Sequence, residues 1–147
     1  MLRDADFFVA GQQITRLRER VLGEVASGCG MTRTELEVLL CLAENPRLDT
    51  ARELVEYLML TKSCVSKAVD SLVRQGYLST REDAADRRII HLTAEEKAGE
   101  AIRLGRKAKQ EMEELIQRGV SDQEIQVFRS LYGKVLENTR EALKQKP

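Results

Sequence analysis

The chain has 147 residues, enough for one domain with a sizeable core or for a small domain whose extensions find their core in a partner. Its 24 Lys+Arg balance 24 Asp+Glu, so no global charge draws it to nucleic acid and any such binding must rest on local basic clusters. No stretch approaches a membrane span or a signal-peptide apolar run, and Cys29, Cys41, Cys64 and a single histidine make neither a CxxC pair nor a zinc ligand set; a soluble, cytoplasmic protein without membrane, metal or cofactor is expected.

Residues 5–26 read as a helix with a narrow apolar seam, Phe7, Ala10, Ile14, Leu17 and Val21, suited to packing on another helix. Ser27 to Gly30 breaks it. Further helices are expected over 33–44, 51–58, 94–118 and 122–145. Each follows a capping box: Thr32 with Glu35, Thr50 with Glu53, Thr93 with Glu96, and Ser121 with Glu124. Thr61 is an N-cap for a helix from Lys62 to Arg74 that Gly76 ends. Residues 77–80 and 88–92 then alternate as two short strands around a charged turn, a hairpin too small to stand without the preceding helices. The last two helices carry apolar seams, the first of them with the small residues Ala98, Ala101, Gly105 and Ala108.

The function-bearing feature is the short joint Met59-Leu60-Thr61 between two helices. It forces the steep crossing of a helix-turn-helix, in which the second helix can enter a DNA major groove. On that helix Val65, Val69, Leu72 and Val73 form the apolar stripe. Lys62, Ser63, Ser66, Lys67 and Asp70 lie opposite, with Arg74 at the end. A charged helix face is often only solvated, but residues 61–92 carry six basic and four acidic side chains, a local net charge of +2 in a neutral chain. A turn bearing Arg81, Arg87 and Arg88 can reach an adjacent minor groove, where arginine is favoured in narrow A·T stretches. Asp86 is positioned to hold the Arg87 guanidinium before DNA arrives.

The run TKSCVSKAVDSLVRQGYLSTREDAADRRIIHLTAEEKAG resembles the core signature of the MarR family of winged-helix regulators: recognition helix, glycine, strand, a wing with Asp86-Arg87-Arg88, strand, Leu92-Thr93, long helix. The resemblance implies a mainly α fold with a small β-hairpin wing. A winged helix-turn-helix lobe at 30–93 is flanked by dimerisation helices at 1–29 and 94–147, all in one 147-residue chain. It also implies that Arg87 enters the minor groove and that Ser63, Ser66 and Lys67 face the major groove; with Thr61, Lys62, Arg74, Asp86 and Arg88 from the helix face and the wing, these are the expected DNA contacts. Partners would be double-stranded DNA, a second copy of the chain and a small-molecule effector. Met59 departs from the pattern, because many such turns place glycine where φ is positive; either this turn avoids that conformation or its geometry differs.

Tyr57, Phe7, Phe8 and Tyr132 are candidates to line an effector cavity, although aromatics at helical spacing are more often core. No ligand is indicated. Cys41 reads as core, Cys64 as a surface or structural thiol and Cys29 as an exposed loop thiol, while His91 receives no special role. One histidine and scattered acids assemble no catalytic constellation. The leading expectation is a homodimeric, sequence-specific repressor that binds a pseudo-palindromic operator and is released by a small ligand. The alternatives are a winged-helix protein-interaction module without DNA binding and a thiol-based redox regulator.

Overall fold

The computed structural model describes residues 4–145, with side chains from residue 9 onward, so the side chains of Phe7 and Phe8 lie outside the described residues. Two compact units, Met1–Met112 and Glu113–Pro147, make up the chain. The element order is α1 (Asp4–Gly28), α2 (Arg33–Glu44), α3 (Ala51–Leu58), α4 (Lys62–Arg74), β1 (Leu78–Glu82), β2 (Ile90–Ala94), a single 3-10 turn (Glu96–Ala98), α5 (Gly99–Ile116) and α6 (Asp122–Lys144). This is a mainly α fold with a small β-hairpin wing, a winged helix-turn-helix core between N- and C-terminal helices.

Three of the four expected capping boxes form. In the first, Thr32 Oγ1 accepts from the Glu35 N–H while a Glu35 carboxylate oxygen accepts from the Thr32 N–H, which satisfies two donors the helix leaves free. Thr50 with Glu53 and Ser121 with Glu124 repeat the arrangement at α3 and α6. The Thr93–Glu96 box is absent. Thr93 is consumed by the sheet, paired with Ser79, and the chain enters α5 through the 3-10 turn, whose cap Glu95 makes no side-chain hydrogen bond. β1 starts one residue later and ends two residues later than the apolar alternation suggested, and β2 stands two residues later at both ends. Tyr77 is used to close α4: Gly76 at φ +80° lets the Tyr77 N–H reach the Leu72 carbonyl at 2.8 Å and the Gly76 N–H reach Val73 at 3.0 Å.

In the first unit α2 is the hub, with Leu36, Val38, Leu39, Leu40 and Cys41 all buried. Leu22 and Ala26 of α1, Leu54 of α3, Val65, Ala68, Val69 and Leu72 of α4, and Leu78 and Leu92 of the hairpin join the same cluster. Each fully buried leucine contributes about 1.5–3 kcal/mol over exposure, so the pose of α4 is fixed by apolar packing. Ala98 of the 3-10 turn and Ala101 and Gly105 of α5 are buried within this unit too. A Cβ on Gly105 would meet the Leu40 methyls at 3.0 Å, which is the close approach that the small residues permit. Ion pairs at the rim tie α1 to α2 (Arg18–Glu37, 2.7 Å; Arg33–Glu19, 3.0 Å) and α5 to α2 (Lys109–Glu44, 2.7 Å).

In the second unit none of the described residues of α6 is buried. Val127, Phe128, Leu131, Tyr132, Val135 and Leu136 are exposed along it, and the Phe128 and Tyr132 rings stack with centroids 5.6 Å apart. At the other end of the chain, Ile14 of the expected α1 seam is likewise half exposed, at 50 %. Tyr57 and Tyr132, the candidates for an effector cavity or the core, are both exposed. Among the described residues no helix is long and apolar enough to cross a membrane.

Candidate nucleic-acid interface

The two helices of the motif meet through Met59 at φ 53° and ψ 38°, the left-handed conformation. The turn does not avoid positive φ. Met59 adopts it at a cost of about 1–2 kcal/mol relative to glycine-compatible backbone, while the residue is 87 % exposed and gains little packing in return. Thr61 then caps α4, its hydroxyl accepting from the Cys64 N–H at 3.2 Å. The helix that follows has two chemically opposite sides. Val65, Ala68, Val69 and Leu72 are buried, whereas Thr61, Lys62, Ser63, Cys64, Ser66, Lys67, Asp70 and Arg74 are all exposed.

The hairpin pairs antiparallel from Leu78↔Ala94 to Glu82↔Ile90. It leans on the helices as expected: Leu78 and Leu92 are buried, and the Leu92 N–H donates to the Asp49 carbonyl at 2.7 Å just before α3. The Glu95 N–H extends the ladder to the Tyr77 carbonyl, and Lys97 donates to the Gln75 carbonyl at 2.7 Å while lying over the Tyr77 ring.

The wing tip is built by Asp83. One of its carboxylate oxygens accepts from the Ala85 and Asp86 N–H groups at 2.9 and 3.0 Å, and its own N–H donates to the Ile89 carbonyl. Beyond it the Ile89 N–H closes a turn on the Asp86 carbonyl at 3.0 Å, which places Arg87 and Arg88 at the two central positions. Asp86 was expected to hold Arg87. It holds Arg88 instead, accepting from the Arg88 N–H at 3.0 Å and facing its guanidinium at 3.8 Å, because a carboxylate at the first position of a turn bonds the backbone two residues on. Among the described residues Lys62, Lys67, Arg74, Arg81 and Arg87 have no carboxylate partner within ion-pair distance, which leaves their charge to solvent or a ligand.

Sequence reasoning passed over His91. Its Nδ1 lies 2.9 Å from both carboxylate oxygens of Asp49 and its Nε2 lies 2.8 Å from Asp83 Oδ1. These contacts hold its pKa above the ordinary 6.5, chiefly through Asp83 and then Asp49. Asp83, bonded to His91 and to two wing amides, is drawn down to about 2. The signal was available in principle: a histidine on the strand face away from the core, opposite a carboxylate-rich turn. The partner Asp49 is 42 residues away in sequence, and nothing local announces it.

The cysteines offer no pair. Cys41 is buried with its pKa raised, first by desolvation; Cys64 is exposed, and Cys29 is half-buried against the core rather than in an open loop. Among the described residues no group of three or more His, Cys, Asp or Glu side chains is placed to hold a metal.

A capped short helix, a left-handed turn residue, a second helix with one polar face and a hairpin pinned beside the bundle define a winged helix-turn-helix protein. Residues 30–89 match the sequence model of the MarR family. A relative in Streptococcus pneumoniae, the transcriptional regulator AdcR, is 33 % identical over 78 residues, 53 % of this chain and 52 % of that protein, so the match spans about half the relative's length. In fold, the chain is similar to a MarR protein from Peptoclostridium difficile (TM-score 0.83, 24 % identity, 99 % of this chain and 97 % of that one). It is also similar to a MarR family transcriptional regulator from Listeria monocytogenes solved with a 26-mer DNA (TM-score 0.82, 17 % identity, 92 % and 89 % covered). The winged-helix segment of this chain is thus similar in sequence to the MarR family, and the whole chain is similar to MarR proteins in fold.

Proposed function

We propose that the protein is a sequence-specific, DNA-binding transcriptional regulator, acting as a homodimeric repressor that a small ligand releases from a pseudo-palindromic operator. The observation that carries this reading is the fully exposed polar face of α4 opposite a fully buried stripe, joined through one core to a wing with two arginines at its tip. Lys62, Ser63, Ser66 and Lys67 would meet base edges and phosphates in the major groove, with Thr61 and Arg74 at the ends of the helix. Arg87 would enter the neighbouring minor groove, and Asp86 would orient Arg88 beside it. The DNA-bound Listeria neighbour supports the same use of this fold.

In this reading residues 30–93 form the DNA-binding lobe, and residues 1–29 and 94–147 supply the surfaces that pair two chains in the cytoplasm. The exposed Phe128, Leu131, Tyr132 and Val135 on α6 and Ile14 on α1 support pairing, because apolar rows of this kind are costly in water unless a partner covers them. Two-fold symmetry then requires half-sites about one helical turn, roughly 10 base pairs, apart. Selection of bound duplexes from a random library, with sedimentation at micromolar concentration, tests the proposal. An enriched inverted repeat and a dimer are expected. A monomer, or a library that never enriches, contradicts it.

A further inference from the structure

The wing tip holds no apolar core: Asp83 supplies its turn, and Asp83 is itself bonded to His91. At its other nitrogen His91 meets Asp49, which lies one residue before the cap of α3 and whose N–H donates to Glu53 at 3.0 Å. A continuous polar chain thus runs from the first turn of the helix-turn-helix, through one imidazole, to the amides beneath Arg87 and Arg88. A neutral imidazole has one N–H and one lone pair, so it can donate to only one of the two carboxylates and turns its lone pair on the other. Contacts of 2.8 and 2.9 Å to carboxylates on both sides suit the imidazolium alone.

We propose that His91 is the positioning residue of the wing: as an imidazolium it clamps Asp83 to Asp49, and loss of its proton frees the wing tip from the helix-turn-helix. The groups that face it are Arg81 from β1, directly opposite in the strand register, Asp83 from the wing-tip turn that follows, Asp49 from the segment before α3 and Glu53 from its first turn. Arg81 opposes the charge and the carboxylates outweigh it, so the clamp holds below the raised midpoint and opens as pH rises through it. The consequence for DNA affinity rests on the function proposed above; the clamp itself does not.

His91 is the sole histidine, so its ring resonances in the full chain are unambiguous. An NMR titration from about pH 5 to 9 should give a midpoint above 6.5, with the Ala85, Asp86 and Arg88 amide shifts following the same midpoint. In His91→Gln those amides should no longer titrate. Asp49→Asn, which keeps the backbone bond from Leu92, should bring the midpoint back toward 6.5 and serves if the first variant folds poorly. Affinity for the selected duplex should fall about three- to tenfold across the midpoint in the wild type and stay flat in His91→Gln. A midpoint at or below 6.5, or tip amides that ignore it, overturns the clamp. Coupled amides with pH-independent affinity overturn its role in placing the wing on DNA. Failure to bind any duplex at any pH overturns the proposed function, while the free-protein titration still decides the clamp.

Discussion

The recognition helix and the wing sit on one lobe and are held by opposite physics. Helix α4 is fixed by Val65, Ala68, Val69 and Leu72 in a shared core, a nondirectional attachment that is indifferent to protons. The wing buries only Leu78 and Leu92 at its base, and its tip is placed by hydrogen bonds among Asp49, His91, Asp83 and the turn amides. Apolar anchoring makes a pose permanent; polar anchoring makes it conditional on charge. The recognition helix should therefore behave as a fixed element, and the wing as one that pH and substitution at a single residue can loosen.

The largest expected effect lies on the apolar side. Leu72→Ala empties a fully buried site and should cost about 2–5 kcal/mol in denaturant unfolding, loosening hairpin and helix together. Loss of the Thr61 cap is smaller: Thr61→Ala removes the acceptor for the Cys64 N–H and should cost about 1 kcal/mol. Met59→Gly goes the other way. It relieves a left-handed residue that packs on little, and after the greater flexibility of glycine in the unfolded chain is counted it should raise stability by up to about 1 kcal/mol by thermal melting.

The smallest effect on stability belongs to the polar clamp, and its signature is a pH window. His91 has a raised folded pKa, so its contribution is complete below 6.5 and is lost as pH rises through the raised value. Asp83 is lowered from 3.8 to about 2, so its contribution is complete above 3.8 and is lost as pH falls through about 2. The difference in melting temperature between wild type and His91→Gln should be greatest between those limits, from about pH 4 to 6.5. A difference that is constant from pH 4 to 9 would remove the contrast between wing and helix.

The same contrast marks how far the sequence could be read. Elements governed by local rules were legible: the boxes at Thr32, Thr50 and Ser121, the Thr61 cap, the Gly76 stop and the apolar stripe of α4 all form where residue type and spacing place them. What depended on distant partners or on the course of the chain in a turn was not. The Thr93 box failed because β1 claims Thr93 for the sheet, and Asp86 turned to Arg88 because turn geometry outweighs proximity to Arg87. Met59 shows that a tertiary fold can impose left-handed backbone without glycine. The clamp was invisible for the same reason, since Asp49 meets His91 only after the three intervening elements α3, α4 and β1 have packed.

The central claim, that α4 and the wing arginines form a DNA-reading surface, is tested most directly by the affinity of wild type and Arg87→Ala for the selected duplex across a salt series. Arg87 is exposed and unpaired among the described residues, so Arg87→Ala should leave melting nearly unchanged. Affinity should fall, and the slope of log affinity against log salt should flatten by about one unit for each arginine that neutralises a phosphate, hence about two per dimer. An affinity for Arg87→Ala that equals the wild type at every salt concentration would contradict the account and leave the wing a solvated hairpin.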